Sequence, residues 1–344
     1  MRYIILFIFL LSELTISGQT WHGLLYENNV SPTSISGIAT DMNGDIWIAT
    51  ESNGAYRYNG TGLVQISGLQ SNQCRAITSD SYGRIWIGSN LGLICWNNGV
   101  MTSYNTQTGM QSQNVYSLCA GANGAVWIGT AAGLIRFDGN SFTLYNTANG
   151  LPSNIIRTVS FDGTNIWAGS LYGLSKFDGS SFQNYSIANG LPANNIRSVF
   201  CVSPNEVWIG TNNGAALFNG SGFQILNHTN GLLSDTVLSF AKDAGGNTWF
   251  CTPTAITRMN GSVFTHFTEI YYDISIDQFT EPVCIHASGD DVFIGTNNDC
   301  VKIKRWMVKN PKSTFLQTDS ISTFITNTGA LLAIDYPDIL GLEF

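Results

Sequence analysis

The sequence predicts an all-β chain, folded as a single propeller of four-stranded antiparallel blades. Three observations predict it. Trp47, Trp86, Trp127, Trp167, Trp208 and Trp249 recur at intervals of 39, 41, 40, 41 and 41 residues. Each lies in a near-copy of one phrase, seen best as GDIWIAT at 44–50, GRIWIGS at 83–89, GAVWIGT at 124–130 and NEVWIGT at 205–211. Between the copies lie short apolar, β-branched runs cut by Gly- and Asp-containing turns. A period near 40 residues made of such runs marks a repeat architecture, and four strands per repeat make one blade.

The copy from Asn154 to Asn194 shows each element in order. Residues 155–160 are β-branched and apolar, as in an inner strand. Residues 161–164 turn, because Asp and Gly tolerate the backbone angles of tight hairpins. Residues 165–170 form the second strand and carry Trp167, and 174–177 form the third. Asp178 and Gly179 turn again before a more polar outer strand at 182–185, and 188–192 bridge to the next copy. Each Trp is read as packing between neighbouring sheets, since large aromatics dominate core burial. A ring of sugar-stacking Trp is the alternative, against which stand the Ile, Val and Ala that flank each ring.

Two further copies follow. Phe293 takes the Trp place in residues 290–296, 44 residues after Trp249, and Leu332 takes it in a fainter copy that ends at Phe344. The expectation is therefore eight blades, with seven as the alternative should the last copy prove irregular. Residues 24–29 resemble the end of an outer strand and its bridge at 143–148, so the N-terminus is expected to pair with the last blade and close the ring. Closure matters because an open blade leaves an unpaired edge.

Residues 1–18 read as a signal peptide: Arg2, an apolar run over 3–11, then small residues before Gln19. The run is shorter than the ~20 apolar residues of a membrane span. The chain is thus expected to be exported, periplasmic, surface-held or secreted, with residues 19–344 as one propeller domain. Net charge is −8 and only 11% of residues are charged, which argues against nucleic acid or anionic lipid as a partner. Seven Cys are scattered through strand positions with no CxxC, and are read as small buried hydrophobes.

Catalytic and metal motifs are not evident. His22, His228, His266 and His286 fall in different copies, and no HExxH, EF-hand loop, phosphate loop or GxSxG elbow with a triad occurs. No cofactor and no metal are predicted. The turns that open with Asp41, Asp80 and Asp243, each ahead of a Trp strand, are explained by an Asp side chain bonding its own turn.

Gly-Leu-Pro-Ser-Asn at 150–154, Gly-Leu-Pro-Ala-Asn at 190–194, the IWIGT-like strand, and Gly-Leu followed by Phe-Asp-Gly at 133–139 and 173–179 carry a resemblance. With these the chain resembles the bacterial two-component regulator propeller repeat family. The resemblance implies a propeller, and it implies the exported sensor half of hybrid histidine kinases, frequently for sugars derived from polysaccharides. The chain departs from that plan in showing no spanning helix, kinase or immunoglobulin-like module. A freestanding binding propeller fits better.

Because recurring residues serve packing, function is sought where copies differ. Near the start of the inner strand, Arg75, Arg157 and Arg197 occupy matching places, Tyr116 takes the place in the third copy, and Ser36, Leu238 and Ile321 take it elsewhere. Arg forks onto carboxylate or phosphate, so these residues are the candidate arc for an anionic ligand, such as a uronic-acid sugar or an acidic peptide terminus. The competing account is that each Arg bonds backbone carbonyls or neighbouring Asn or Asp between blades. Tyr172, Asn212 and Asn213, on the second-to-third-strand turns, could stack on or bond a sugar, or could simply be solvated. The chain is read as a non-enzyme that binds a saccharide or a partner protein. A lyase- or hydrolase-type propeller enzyme and a structural interaction scaffold are the alternatives. A quinone-binding enzyme is not favoured, since the Trp-docking phrase of eight-bladed quinoproteins is missing.

Overall fold

The phrase around each Trp forms the second strand of a four-stranded antiparallel sheet. In the fourth blade the strands are Ile156–Phe161, Ile166–Ser170, Gly173–Phe177 and Phe182–Tyr185, paired in chain order and within one residue of the expected bounds. The computed structural model describes residues 22–303, apart from 29, 32, 269–270, 274–277, 280 and 290. The expected leader at 1–18 and the faint copy around Leu332 lie outside the described residues. Seven four-stranded sheets fill the described chain, together with a small hairpin of Tyr271–Asp273 and Gln278–Phe279 between blades six and seven.

The blade number corrects the expectation of eight, and a seat for the neighbouring blade explains it. A Cβ on Gly129 would stand 2.8 Å from the Ile156 carbonyl oxygen, and one on Gly169 would stand 2.5 Å from Ile196 Cγ2, so the Gly of the WIGT phrase lets the next inner strand approach. Gly295 of blade seven makes the same seat, with Ile35 of blade one 2.7 Å from the position of its Cβ. Thr40 Oγ1 also meets His286 Nε2 at 2.7 Å across this seam. Blade seven therefore packs directly on blade one, with no space for an eighth blade between them.

At the N-terminus, residues 24–27 depart from the expected end of an outer strand. His22–Gly23 lies beside Cys300–Ile303 in the seventh sheet, and Leu24–Glu27 is a single helical turn. Leu24 and Leu25 are buried with Ile35, Ile48, Phe293 and Cys300. Asp299, itself buried, accepts the Leu25 N–H at 2.8 Å.

The Trp series fills the gaps between sheets. Trp47, Trp86, Trp167 and Trp249 are fully buried, and Trp208 and Trp127 nearly so. Trp47 meets Trp96 at 4.8 Å, Trp167 meets Phe218 at 5.1 Å and Trp127 meets Phe177 at 5.7 Å, each across to the third strand of the next blade. Such contacts add to area burial by about 0.5–1.5 kcal/mol each. Rings buried in this way cannot stack on a sugar. Phe293 stands in the same place in blade seven and is buried. All seven Cys are free, and burial pushes the Cys74 thiol up to about 12, which suits packing rather than redox chemistry.

Candidate functional site

The inner strands do not run straight. Their pairing with the second strand shifts register at one residue: between Ile35 and Gly37, Cys74 and Ala76, Val115 and Ser117, Ile156 and Thr158, Ile196 and Ser198, and Pro282 and Cys284. The skipped residues are Ser36, Arg75, Tyr116, Arg157, Arg197 and Val283. A β-bulge frees its extra residue from the ladder and re-aims the side chain. Five of the matching places found in the sequence, Ser36, Arg75, Tyr116, Arg157 and Arg197, are thus bulge positions, blade seven adds Val283, and Ile321 lies outside the described residues. Blade six differs: its inner strand is shortened to Ser239–Lys242, and Leu238 precedes it.

Bridges and second-to-third-strand turns meet at this end of the blades. Asn213 Nδ2 donates to the Pro192 carbonyl at 3.1 Å, and Asn53 Nδ2 to the Ser31 carbonyl at 3.2 Å. Asn213 is therefore tied to the fold by one donor, whereas exposed Asn212 has no side-chain bond among the described residues. Tyr172 is exposed on the turn of blade four.

The three Arg divide into two environments. Arg75 donates through a guanidinium nitrogen to Asn114 Oδ1, and its guanidinium lies 5.6 Å from the centre of the Tyr116 ring. Asn114 Nδ2 in turn donates to the Tyr116 hydroxyl at 3.1 Å. Arg75 and Tyr116 form a latch between blades two and three, as the competing account of the arc expected. Arg157 and Arg197 are both exposed, and among the described residues neither side chain has a hydrogen bond or ion pair. Their strands are neighbours, since the Val199 N–H donates to Thr158 Oγ1 at 3.1 Å.

The other described cations are occupied differently. On the third strand, Arg57, Arg136, Lys176, Arg258 and Lys302 face Trp47, Trp127, Trp167, Trp249 and Phe293 in register. Lys176 Nζ lies 5.4 Å from the Trp167 ring centre and Lys302 Nζ 5.6 Å from that of Phe293. Arg57 pairs with Asp45, Arg84 with Asp80, Lys242 with Glu206 and Lys302 with Asp291. Among the ten described Lys and Arg, only Arg157 and Arg197 are exposed.

At the first-to-second-strand turns, Asp does more than the sequence showed. Asp41, Asp80, Asp162 and Asp243 accept turn N–H groups through Oδ1, as expected. Their Oδ2 atoms accept the indole N–H of Trp47, Trp86, Trp167 and Trp249 at 2.7–2.9 Å. In blade three Gly121 holds the place, and a Cβ there would stand 2.8 Å from the Trp127 ring. The fixed six- or five-residue spacing from Asp to Trp was the available signal for this bond.

One constellation escaped the sequence reading. In two bridges the Thr147 and Ile187 N–H groups donate to Asn154 and Asn194 at 2.9 Å. In the next bridge Asp235 accepts the equivalent His228 N–H at 2.8 Å, and its second oxygen meets His228 Nδ1 at 2.7 Å. The N–H and ring of His228 hold the Asp235 carboxyl below the usual carboxylate range. The dyad was legible as a paired departure from the two Asn copies. Of the other His side chains, His266 meets Thr257 and His286 meets Thr40. Among the described residues, no three His, Cys, Asp or Glu gather in a group able to hold a metal, and no helix is long and apolar enough to cross a membrane.

A family model described as two component regulator propeller matches residues 68–91, 109–132 and 190–213. The chain thus carries two component regulator propeller repeats, as its Gly-Leu-Pro motifs led us to expect. No curated protein matches the chain. Among solved structures, it is similar to the extracellular domain of a protein from B. thetaiotaomicron described as a hybrid two component system, with TM-score 0.71, 22% identity, and coverage of 82% of this chain and 41% of that one. A second B. thetaiotaomicron extracellular domain, described as a one component system, gives TM-score 0.67, 19% identity, and coverage of 83% and 40%. Virginiamycin B lyase from Staphylococcus aureus, in a catalytically inactive form with quinupristin, gives TM-score 0.65, 16% identity, and coverage of 82% and 97%. The chain spans about two fifths of the two B. thetaiotaomicron extracellular domains and nearly all of the lyase. At these identities the likeness is one of fold.

Proposed function

We propose that this propeller of two component regulator repeats is an exported, non-catalytic binding module that takes an anionic ligand on the channel rim of blades four and five. The observation that carries the reading is the exposed, unpaired state of Arg157 and Arg197 at bulges of neighbouring inner strands. Every other described cation is at least partly buried, and the chain as a whole is acidic. Two bare guanidinium groups can each fork onto a carboxylate or phosphate, which fixes orientation as well as charge. Tyr172 and Asn212, exposed on adjacent blades, supply a ring and an amide beside them. Asn213 and the Arg75–Tyr116 latch act by shaping the face. Likeness to the extracellular domains of sensor proteins supports recognition outside the cytoplasm.

The test is calorimetric titration of the purified chain with oligogalacturonate, citrate and an acidic peptide. The Arg157→Ala/Arg197→Ala variant should weaken binding of whichever anion binds by at least about tenfold, a change of about 1.4 kcal/mol. Unchanged binding ends the reading.

A second reading, acid–base chemistry at the rim, draws on the His228–Asp235 dyad. A carboxylate on Nδ1 fixes the ring and leaves Nε2 as the reactive atom. It predicts turnover of a uronate polymer to an unsaturated product, detected by ultraviolet absorbance and lost in His228→Ala. The binding reading predicts no turnover by the unaltered chain.

A further inference from the structure

The bare Arg pair does not stand alone on its face. Ile155, Tyr172, Ile187 and Leu233 are 40%, 68%, 58% and 47% exposed, and lie on the inner-strand start, the turn and the bridges of blades four to six. Single exposed apolar residues are ordinary. These are distinguished by what the other copies carry. Ile155 stands where Gln73, Asn114 and Asn195 stand, and Ile187 stands where Thr147 and His228 stand. The backbone at Ile187 is already fixed by the Asn194 bond, so the fold does not require its apolar side chain. Leu233 replaces Pro152 and Pro192 of the matching bridges. Within one sector, then, the copies depart toward aliphatic side chains around two unpaired cations.

We infer that the occupant of this sector is an acidic–aliphatic segment of a partner protein, its carboxylates on Arg157 and Arg197 and its apolar side chains on Ile155, Ile187 and Leu233. The inference rests on the anion-binding reading above and names the ligand class for that site. Charge complementarity fixes the sign of the partner. The aliphatic surround selects peptide over saccharide: sugars pack on aromatic faces, and of the two rim aromatics Tyr116 is held by Arg75 while Tyr172 alone is exposed. Arg and Tyr anchors within an apolar patch are the composition of protein–protein interfaces. The net charge of −8 opposes any polyanion at long range, so a segment with a few carboxylates set among apolar residues is favoured over a continuous run of acid.

The test titrates the whole chain with three fluorescent probes: a short capped peptide alternating Asp and Leu, a peptide of Asp alone, and an oligogalacturonate. The alternating peptide should bind at least about tenfold more tightly than either other probe. Ile187→Ser/Leu233→Ser should weaken that peptide by about tenfold and leave the other two unchanged, with circular dichroism and melting as for the unaltered chain. Arg157→Ala/Arg197→Ala should weaken every anion. Tighter or equal binding of oligogalacturonate, or indifference of the alternating peptide to the Ile187/Leu233 change, overturns the peptide assignment while the Arg effect keeps the anion site. Indifference of all probes to the Arg change removes the anion site and this inference with it, whereas a failure of the alternating peptide alone to bind removes only the peptide assignment.

Discussion

Opposite ends of the blades follow opposite rules. At the first-to-second-strand turns, Asp41, Asp80, Asp162 and Asp243 repeat one task, each holding its turn with one oxygen and an indole N–H with the other. At the bulges, the matching residues run Ser36, Arg75, Tyr116, Arg157, Arg197 and Val283, with no two tasks alike until the bare pair in blades four and five. A buried indole N–H calls for a partner, and Asp supplies it in blades one, two, four and six, while Glu206 takes the Trp208 N–H at 3.5 Å in blade five and Gly121 holds the Asp place in blade three. A bulged residue has no ladder bond to keep, so its side chain can drift. The difference teaches where to look in a repeat protein: constancy marks the bonds that build a blade, and divergence marks the surface that serves it.

The contrast can be broken most sharply at Trp167. Trp167→Ala empties a fully buried site between blades and should cost about 3–5 kcal/mol in urea unfolding. A loss below about 1 kcal/mol would mean that the series does not bind the blades together. Asp162→Ala leaves the Trp167 N–H unpaired and releases the turn, and should cost about 1–3 kcal/mol by the same measurement. Arg75→Ala should cost about 1 kcal/mol through loss of the Asn114 bond and Tyr116 contact. Arg157→Ala, at the same bulge two blades on, should stay within about 0.5 kcal/mol. Equal losses at Arg75 and Arg157 would erase the distinction between latch and bare cation.

The seam between blades seven and one offers a pH test. Burial pushes the His286 pKa down to about 4, below its ordinary value, and the ring meets Thr40 across the seam. Between its folded value and its ordinary value near 6.5, the unfolded chain binds the proton that the folded chain refuses. Stability from the neutral ring is thus present above about pH 6.5 and falls as pH drops toward 4, by at most about 1.4 kcal/mol per unit. Chemical unfolding across this range should show that slope, and His286→Gln should flatten it. An unchanged slope in the variant would assign acid sensitivity elsewhere.

Much of the fold was legible because the blade is a local structure. The Trp period, the Asp-Gly turns and the Phe182–Tyr185 outer strand can each be read from a window of ~40 residues, and the strands lie where that window puts them. The number of blades was less legible, because closure is a contact between distant parts of the chain. Only the seating of Ile35 on Gly295, 260 residues apart, decides that blade one follows blade seven. Residues 24–29 resemble the strand end and bridge at 143–148, but Leu24–Glu27 forms a helical turn whose Leu25 N–H bonds Asp299. For the candidate site, the sequence supplied the arc but not its division. Arg75, Arg157 and Arg197 look equivalent in register, and what separates them is Asn114 and Tyr116 in the next blade, brought beside Arg75 by packing. For the His228–Asp235 dyad the sequence carries a paired departure from the Thr147–Asn154 and Ile187–Asn194 copies, but their contact depends on the course of the bridge.

The bulges have an evolutionary consequence. Each places one side chain at the channel mouth on a frame whose hydrogen bonds do not depend on it. Substitution there changes what the mouth displays without rebuilding a blade, much as a letter is exchanged in a fixed line of type. Where the bulged side chain is bare, as at Arg157 and Arg197, substitution therefore leaves stability nearly constant, whereas at Arg75 it releases the latch to Asn114 and Tyr116. On the proposed anion-binding reading, Arg157 and Arg197 are two letters of the current word, and placing serine at both, as Ser36 stands in blade one, would leave the mouth neutral there.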